Sequence, residues 1–153
     1  MSIKEKISSL GLSLPTAAAP VAAYVPAVKS GNLVFTAGQL PVVDGKLLKE
    51  GKVGSDVTAE DAKELAQLCA LNALAAISLV ADLDQIERVV RVGGFVNCAP
   101  GFTAIPRVIN GASEFLIKIF GDVNGKHART AVGVAELPLN APVEVEVIVQ
   151  LKN

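Results

Sequence analysis

Residues 127–151 read HARTAVGVAELPLNAPVEVEVIVQL, and the alternation within this stretch decides how the rest of the chain is arranged. In an extended strand successive side chains point to opposite sides. Val143, Val145, Val147, Val149 and Leu151 therefore form one apolar row, with Glu144, Glu146, Ile148 and Gln150 on the reverse. Upstream, Thr130, Val132 and Val134 share one face, and His127, Arg129, Ala131, Gly133 and Ala135 share the other. The pattern predicts a β-hairpin turning at Leu137 and Pro138, with the two valine-bearing rows on the core. Ala131 then lies opposite Glu144 and Arg129 opposite Glu146. Arg129 and Glu144 become diagonal neighbours roughly 7 Å apart on the face away from the core. Ala131 and Gly133 leave an open floor there. A guanidinium above such a floor suits a carboxylate, which it binds through two parallel hydrogen bonds.

Working outward, Pro106 to Phe120 reads as a helix with proline in its first turn and Gly121 beyond its end. Ile86 to Cys98 reads as a long strand, with Gly93 and Gly94 marking a bulge or bend. A longer helix spans about Ala59 to Ala81, capped by Thr58 with Asp61 at the third helical position. Its Leu65, Leu68, Cys69, Ala76 and Leu79 face a sheet. Leu71 and Leu74 project instead toward Lys63, Glu64 and Gln67, so another element must cover that side. The candidate is a short amphipathic helix over residues 2–10, with Ile3, Ile7 and Leu10 on one face. Pro15, the alanines at 17–19 and Pro20 read as an extended surface linker. Tyr24 to Lys29 and Leu33 to Ala37 pair across Ser30-Gly31-Asn32. Asp44-Gly45 is a further turn, and Lys46 to Val53 forms a short edge strand or a loop.

The order of elements suits an α+β domain with two helices on one face of a mixed sheet. On this reading the uncovered face carries Arg129, Ala131, Glu144, Ile148 and Phe95. It is too apolar to be left to solvent, which predicts self-association.

Composition narrows the function classes. One domain spanning residues 1–153 is expected from the length. The chain is 51% hydrophobic but only 4% aromatic, so its core is aliphatic. A formal charge of −1, without clustered Lys or Arg, gives no footprint for nucleic acid or an anionic membrane. Cys69 and Cys98 are far apart and His127 is the single histidine. Neither zinc-ligand spacing nor a disulfide framework is expected, and a reduced, cytoplasmic setting follows. The first residues lack the apolar block of a secretory signal, and no segment is expected to span a bilayer.

The segments ARTAVGVAELPLNAPVEVEV and YVPAVKSGNLVFTAGQLP together resemble the Rid family of reactive intermediate deaminases, also called the YjgF family. The resemblance covers roughly residues 20 to 152, with the extra helix at residues 1–14 pointing to a longer subgroup. It implies a chorismate-mutase-like fold, with a mixed six-stranded sheet, two helices on one face, and a homotrimer around a central barrel with sites between subunits. It also implies a cofactor-free, metal-free hydrolysis of small enamines and imines of the 2-aminoacrylate type, giving 2-keto acids and ammonia. In that reaction Arg129 matches the arginine that anchors the substrate carboxylate, and Glu144 the glutamate that places or activates water. Tyr24 matches a pocket-closing tyrosine from a neighbouring subunit, and Asn110 an asparagine that hydrogen-bonds the ligand. Ala131 contributes its main chain.

The sequence departs from the family at two places. Ala37 stands where many members have serine, and Ala131 where they have cysteine, which puts substrate range in question. Plainer roles remain open: an ion pair of Arg129 with Glu146, a solvated Glu144, a buried Tyr24 phenol and a surface Asn110. So do two other functions, a non-catalytic sensor of small carboxylates and an endoribonuclease. His127 shares the Arg129 face, where a lone strand-end histidine is more often incidental.

Overall fold

The computed structural model describes residues 1–17, 20 and 23–153; part of the expected linker, Ala18 and Ala19, lies outside them. Three helices, α1 (Ile3–Ser9), α2 (Ala59–Ile77) and α3 (Ile105–Gly125), accompany seven strands. These are β1 (Ala27–Ser30), β2 (Leu33–Thr36), β3 (Val42–Val43), β4 (Lys46–Leu47), β5 (Ile86–Asn97), β6 (Ala128–Val134) and β7 (Val143–Leu151). Five strands form one mixed sheet in the order β1-β2-β7-β5-β6, and β3 and β4 form a separate two-stranded ribbon. The main sheet is therefore five-stranded, not six-stranded. Asp44 and Gly45, both at positive φ, close the ribbon into a tight turn away from it.

Within β7 the expected alternation holds. The five apolar side chains from Val143 to Leu151 are buried against the helices, while Glu144, Glu146, Ile148 and Gln150 are only partly covered. β1 and β2 pair across Gly31 and Asn32 as expected, Gly31 taking φ +60.

The terminal hairpin, however, does not form. β6 pairs in parallel with β5, and β7 pairs antiparallel with β5 on its other side. One whole strand thus separates the two segments. Eight residues lie between Val134 and Val143, too many for a tight hairpin turn. They cross the end of β5, where fully buried Asn97 holds them by donating from its side chain to the Ala141 carbonyl at 3.1 Å. Its backbone N–H donates to the Pro142 carbonyl at 2.9 Å. The β5-α3-β6 unit is a parallel crossover.

This topology reverses β6. Arg129 is level with Val92, Ala131 with Gly94 and Gly133 with Val96, all on the helix side. Val132, 39% exposed, faces away with Phe95. The pairing of Arg129 with Glu146 and of Ala131 with Glu144 is lost, because a change of one residue in facing transfers every side chain to the other face.

Helix α2 starts as predicted, with the Thr58 hydroxyl accepting from the Asp61 N–H at 3.1 Å, but ends at Ile77. Leu79 is consequently 60% exposed instead of facing the sheet. Its Lys63 side is covered by α3, not by α1. Lys63 pairs with Glu114 at 3.0 Å, and a Cβ on Gly111 would lie 1.8 Å from the Lys63 carbonyl oxygen. Only glycine lets the two helices approach this closely. Helix α1 docks instead against α3 and residues 83–85, burying Ile7 completely. It is pinned by the Ile3 N–H donating to Asp84 at 2.7 Å and by Lys6 Nζ donating to the Ile119 carbonyl at 3.1 Å.

In α3 the regular helix breaks where expected, at Gly121 (φ +84), and one further turn follows to Gly125. The irregularities of β5 fall upstream of the predicted bulge, between Ile86 and Arg88 and between Val89 and Arg91. Gly93 and Gly94 keep the ladder register. Their role is close approach instead: a Cβ on Gly94 would meet Ile109 of α3 at 2.6 Å. No helix among the described residues is long and apolar enough to cross a membrane.

Candidate functional site

Two polar clusters stand out, one on each side of the sheet. On the helix side, at the edge formed by β6, the Arg129 guanidinium lies along α3. Its Nη1 donates to Asn110 Oδ1 at 2.8 Å and to Ser113 Oγ at 3.3 Å. Asn110 and Ser113 are three apart on the helix and so share a face. Among the described residues, no carboxylate pairs with Arg129, so a half-buried cation is oriented by neutral acceptors alone.

His127 extends this cluster. One ring nitrogen, Nδ1, lies 2.6 Å from the Gly125 carbonyl, and the other, Nε2, lies 2.9 Å from Ser113 Oγ. A carbonyl only accepts, so the proton is assigned to Nδ1, and Nε2 accepts from the serine hydroxyl. The chain runs from Asn110 through Arg129 and Ser113 to His127. Burial pushes the His127 pKa down from its ordinary value; the Gly125 hydrogen bond opposes that shift, and the Arg129 charge adds to it. Gly125 sits where a Cβ would come within 2.6 Å of the Ile117 backbone, so only glycine fits this close approach to Ile117. A shallow groove of about 320 Å³ opens beside the cluster, lined by Ser113, Ile117, Lys126, His127 and Arg129.

On the opposite face, Glu144 and Glu146 flank Gly93 and Phe95 of β5. The ladder between β2 and β7 breaks here. Thr36 Oγ1 accepts from the Val147 N–H at 2.9 Å, and pairing resumes only between Gln39 and Val145. The break at Ala37 and Gly38 brings the chain onto Glu144, whose Oε1 would lie 2.3 Å from a Cβ on Gly38. Burial, and secondarily the charge of Glu146, raises the Glu144 pKa above the usual carboxylate value. Phe35 and Ile148 share this face, Phe35 being 40% exposed.

Of the residues singled out from sequence, Arg129 and Asn110 are brought into direct contact. Ala131, level with Gly94, floors the same side of β6. Glu144 is on the other face, so within one chain it does not meet Arg129. Tyr24 precedes β1 and is 47% exposed in the single chain, so it is not part of its own protomer's core. Ser113 and the part played by His127 are additions. The i, i+3 spacing of Asn110 and Ser113, with His127 two residues before Arg129, was the available signal. Cys69 is fully buried and its thiol is pushed well up by burial, so it is a small core residue.

The sequence description of the family "YjgF/chorismate_mutase-like, putative endoribonuclease" matches residues 4–151. The chain belongs to the YjgF family. This YjgF-family chain is 41% identical over 152 residues to "Protein TCP17" of Trypanosoma cruzi, covering 99% of this chain and 95% of that protein. It is 30% identical over 141 residues to a "2-iminobutanoate/2-iminopropanoate deaminase" of Dermatophagoides farinae, covering 92% and 95% of the two chains. Among solved structures, a "putative endoribonuclease" from Shewanella oneidensis superposes with a TM-score of 0.94 at 31% identity. That match covers 99% of this YjgF-family chain and 100% of the other, α1 included.

Proposed function

We propose that the chain is a hydrolytic deaminase of small 2-imino and enamine acids, acting at sites formed between copies of itself. The observation that carries this reading is the Arg129 guanidinium, held in place by Asn110 and Ser113 and, among the described residues, left without a counter-ion beside an open groove. A fixed arginine without an acid is a receptor for a carboxylate, which orients the rest of the substrate. The named deaminase relative supports the substrate class.

Hydrolysis adds water to the imine carbon, moves a proton to nitrogen and expels ammonia, leaving the keto acid. An enamine first tautomerises to the imine. Water is the only co-reactant, so no cofactor or metal enters the balance. Glu144 suits the proton transfers, because its raised pKa makes its acid form accessible nearer neutrality.

Arg129 and Glu144 lie on opposite faces of one sheet, so a second copy must supply the other group. A cyclic assembly in which the β6 edge of one protomer meets the Glu144 face of the next gives each site one of each, and a trimer is the arrangement proposed. It would cover Phe35, Ile148 and Val132 and let exposed Tyr24 close a neighbour's groove. A reduced, cytoplasmic setting is part of the same proposal.

The test couples an amino-acid dehydratase, which generates 2-aminoacrylate, to keto-acid detection. Acceleration by the protein that is lost in Arg129→Ala supports the deaminase. Binding of a keto acid without acceleration identifies a sensor, and RNA cleavage that depends on Arg129 and Glu144 identifies a nuclease.

A further inference from the structure

Ser113 and His127 line the groove beside Arg129, and the reaction just described gives neither of them a contact with the substrate. Ser113 Oγ lies within hydrogen-bond distance of both Arg129 Nη1 and His127 Nε2, and all three residues line the same groove. We propose that Ser113 is a second carboxylate-binding group beside Arg129, and that the protonation state of His127 decides whether its hydroxyl hydrogen is free to bind. This rests on Arg129 being the carboxylate anchor.

With His127 neutral, its Nε2 is an acceptor and holds the serine hydrogen, so the hydroxyl has nothing to give a ligand. With His127 protonated, Nε2–H becomes a donor. Ser113 Oγ then accepts from Nε2 and from Arg129 through its two lone pairs, and its hydrogen is released toward the groove. A carboxylate there gains one hydrogen bond and one nearby positive charge.

The charged groups facing His127 are all cationic or already paired. Arg129 is two residues away on β6, and Arg88 of β5 lines a second groove together with His127. Lys126 precedes it in the chain and is bound to Asp122 of α3 at 2.9 Å. Among the described residues no carboxylate lies within ion-pair distance of His127, so the bound ligand supplies the counter-charge. By linkage, ligand binding raises the His127 pKa, and protonation tightens binding by the same factor. In the free protein burial, with the Arg129 charge adding to it, holds the His127 pKa below its ordinary value, which leaves room for the shift.

The single histidine makes the measurement clean, since one imidazole resonance reports His127 alone. Its NMR titration is recorded on the full chain, free and saturated with pyruvate, a carboxylate that stays ionised throughout. Saturation is expected to raise the midpoint by about one unit, with pyruvate bound about tenfold more tightly below the midpoint than above it. Ser113→Ala weakens binding chiefly at acid pH and shrinks the shift, and Ser113→Thr, which keeps the hydroxyl, restores both. Glu144 also titrates, but it contributes equally in wild type and Ser113→Ala, so the comparison isolates the serine. Arg129-dependent binding with an unmoved His127 midpoint overturns the relay and leaves the anchor standing. Absence of pyruvate binding, or binding indifferent to Arg129→Ala, overturns both.

Discussion

Gly38→Ala displaces the Glu144 carboxylate without removing it. The new Cβ would sit 2.3 Å from Oε1, 2.8 Å from Cδ and 3.1 Å from Cγ of Glu144. A relaxed carbon–oxygen contact is about 3.3 Å, so the carboxylate must swing by roughly 1 Å. The obstruction is the far end of a flexible side chain, and Gly38 does not have a positive φ. Alanine there even gains about 0.4–1 kcal/mol from the stiffer unfolded chain. The net change in stability should stay within about 1 kcal/mol, a Tm shift of no more than about 4 °C. A misplacement of about 1 Å at a reacting group costs about 100-fold in rate, or about 2.7 kcal/mol of activation free energy. Steady-state keto-acid release from the coupled assay, with thermal melts by circular dichroism, separates the two effects. The expected result is a kcat down about 100-fold with KM little changed, since Arg129 is untouched. A variant within threefold of wild-type kcat would refute the placement of Glu144 at the reacting centre.

The same substitution at Gly111 should do the opposite. Its Cβ meets the Lys63 backbone at 1.8 Å, so α2 and α3 must part, and Gly111→Ala is expected to cost about 3 kcal/mol or more in urea unfolding. Glu144→Gln should stabilise the protein at neutral pH. A carboxyl whose folded pKa is raised contributes stability that is complete below its unfolded pKa and is lost as pH rises through the folded value. Urea midpoints of wild type should therefore fall relative to Glu144→Gln as pH climbs from about 4 toward 7, and parallel curves would count against the burial of Glu144.

Local signals carried most of the fold. Gly31 at the first hairpin, Thr58 at the start of α2, Gly121 at the break in α3 and the alternation of β7 are all where their chemistry required them. What failed was the partner of β6. Apart from Arg129 and Thr130 both of its faces are small or apolar, so the alternation did not say which was the core, and the helix side turned out to be the one bearing Arg129, Ala131 and Gly133. Proximity to α3 selects small residues there, whereas Val132 is exposed on the other face. The eight-residue connection after Val134 was the legible warning against a hairpin. The same error placed Arg129 and Glu144 on one face. Contacts that depend on two distant elements, such as Ser113 with His127, left only a spacing behind in the sequence.

The central claim is that one protomer supplies Arg129 and another supplies Glu144 to the same site. Arg129→Ala and Glu144→Ala, each inactive alone, are co-refolded at equal amounts and assayed for keto-acid release. In a cyclic assembly about one site in four then pairs an intact arginine with an intact glutamate, so about a quarter of wild-type activity should return. Mixtures that stay as inactive as either variant, although mixed oligomers form, would contradict the account.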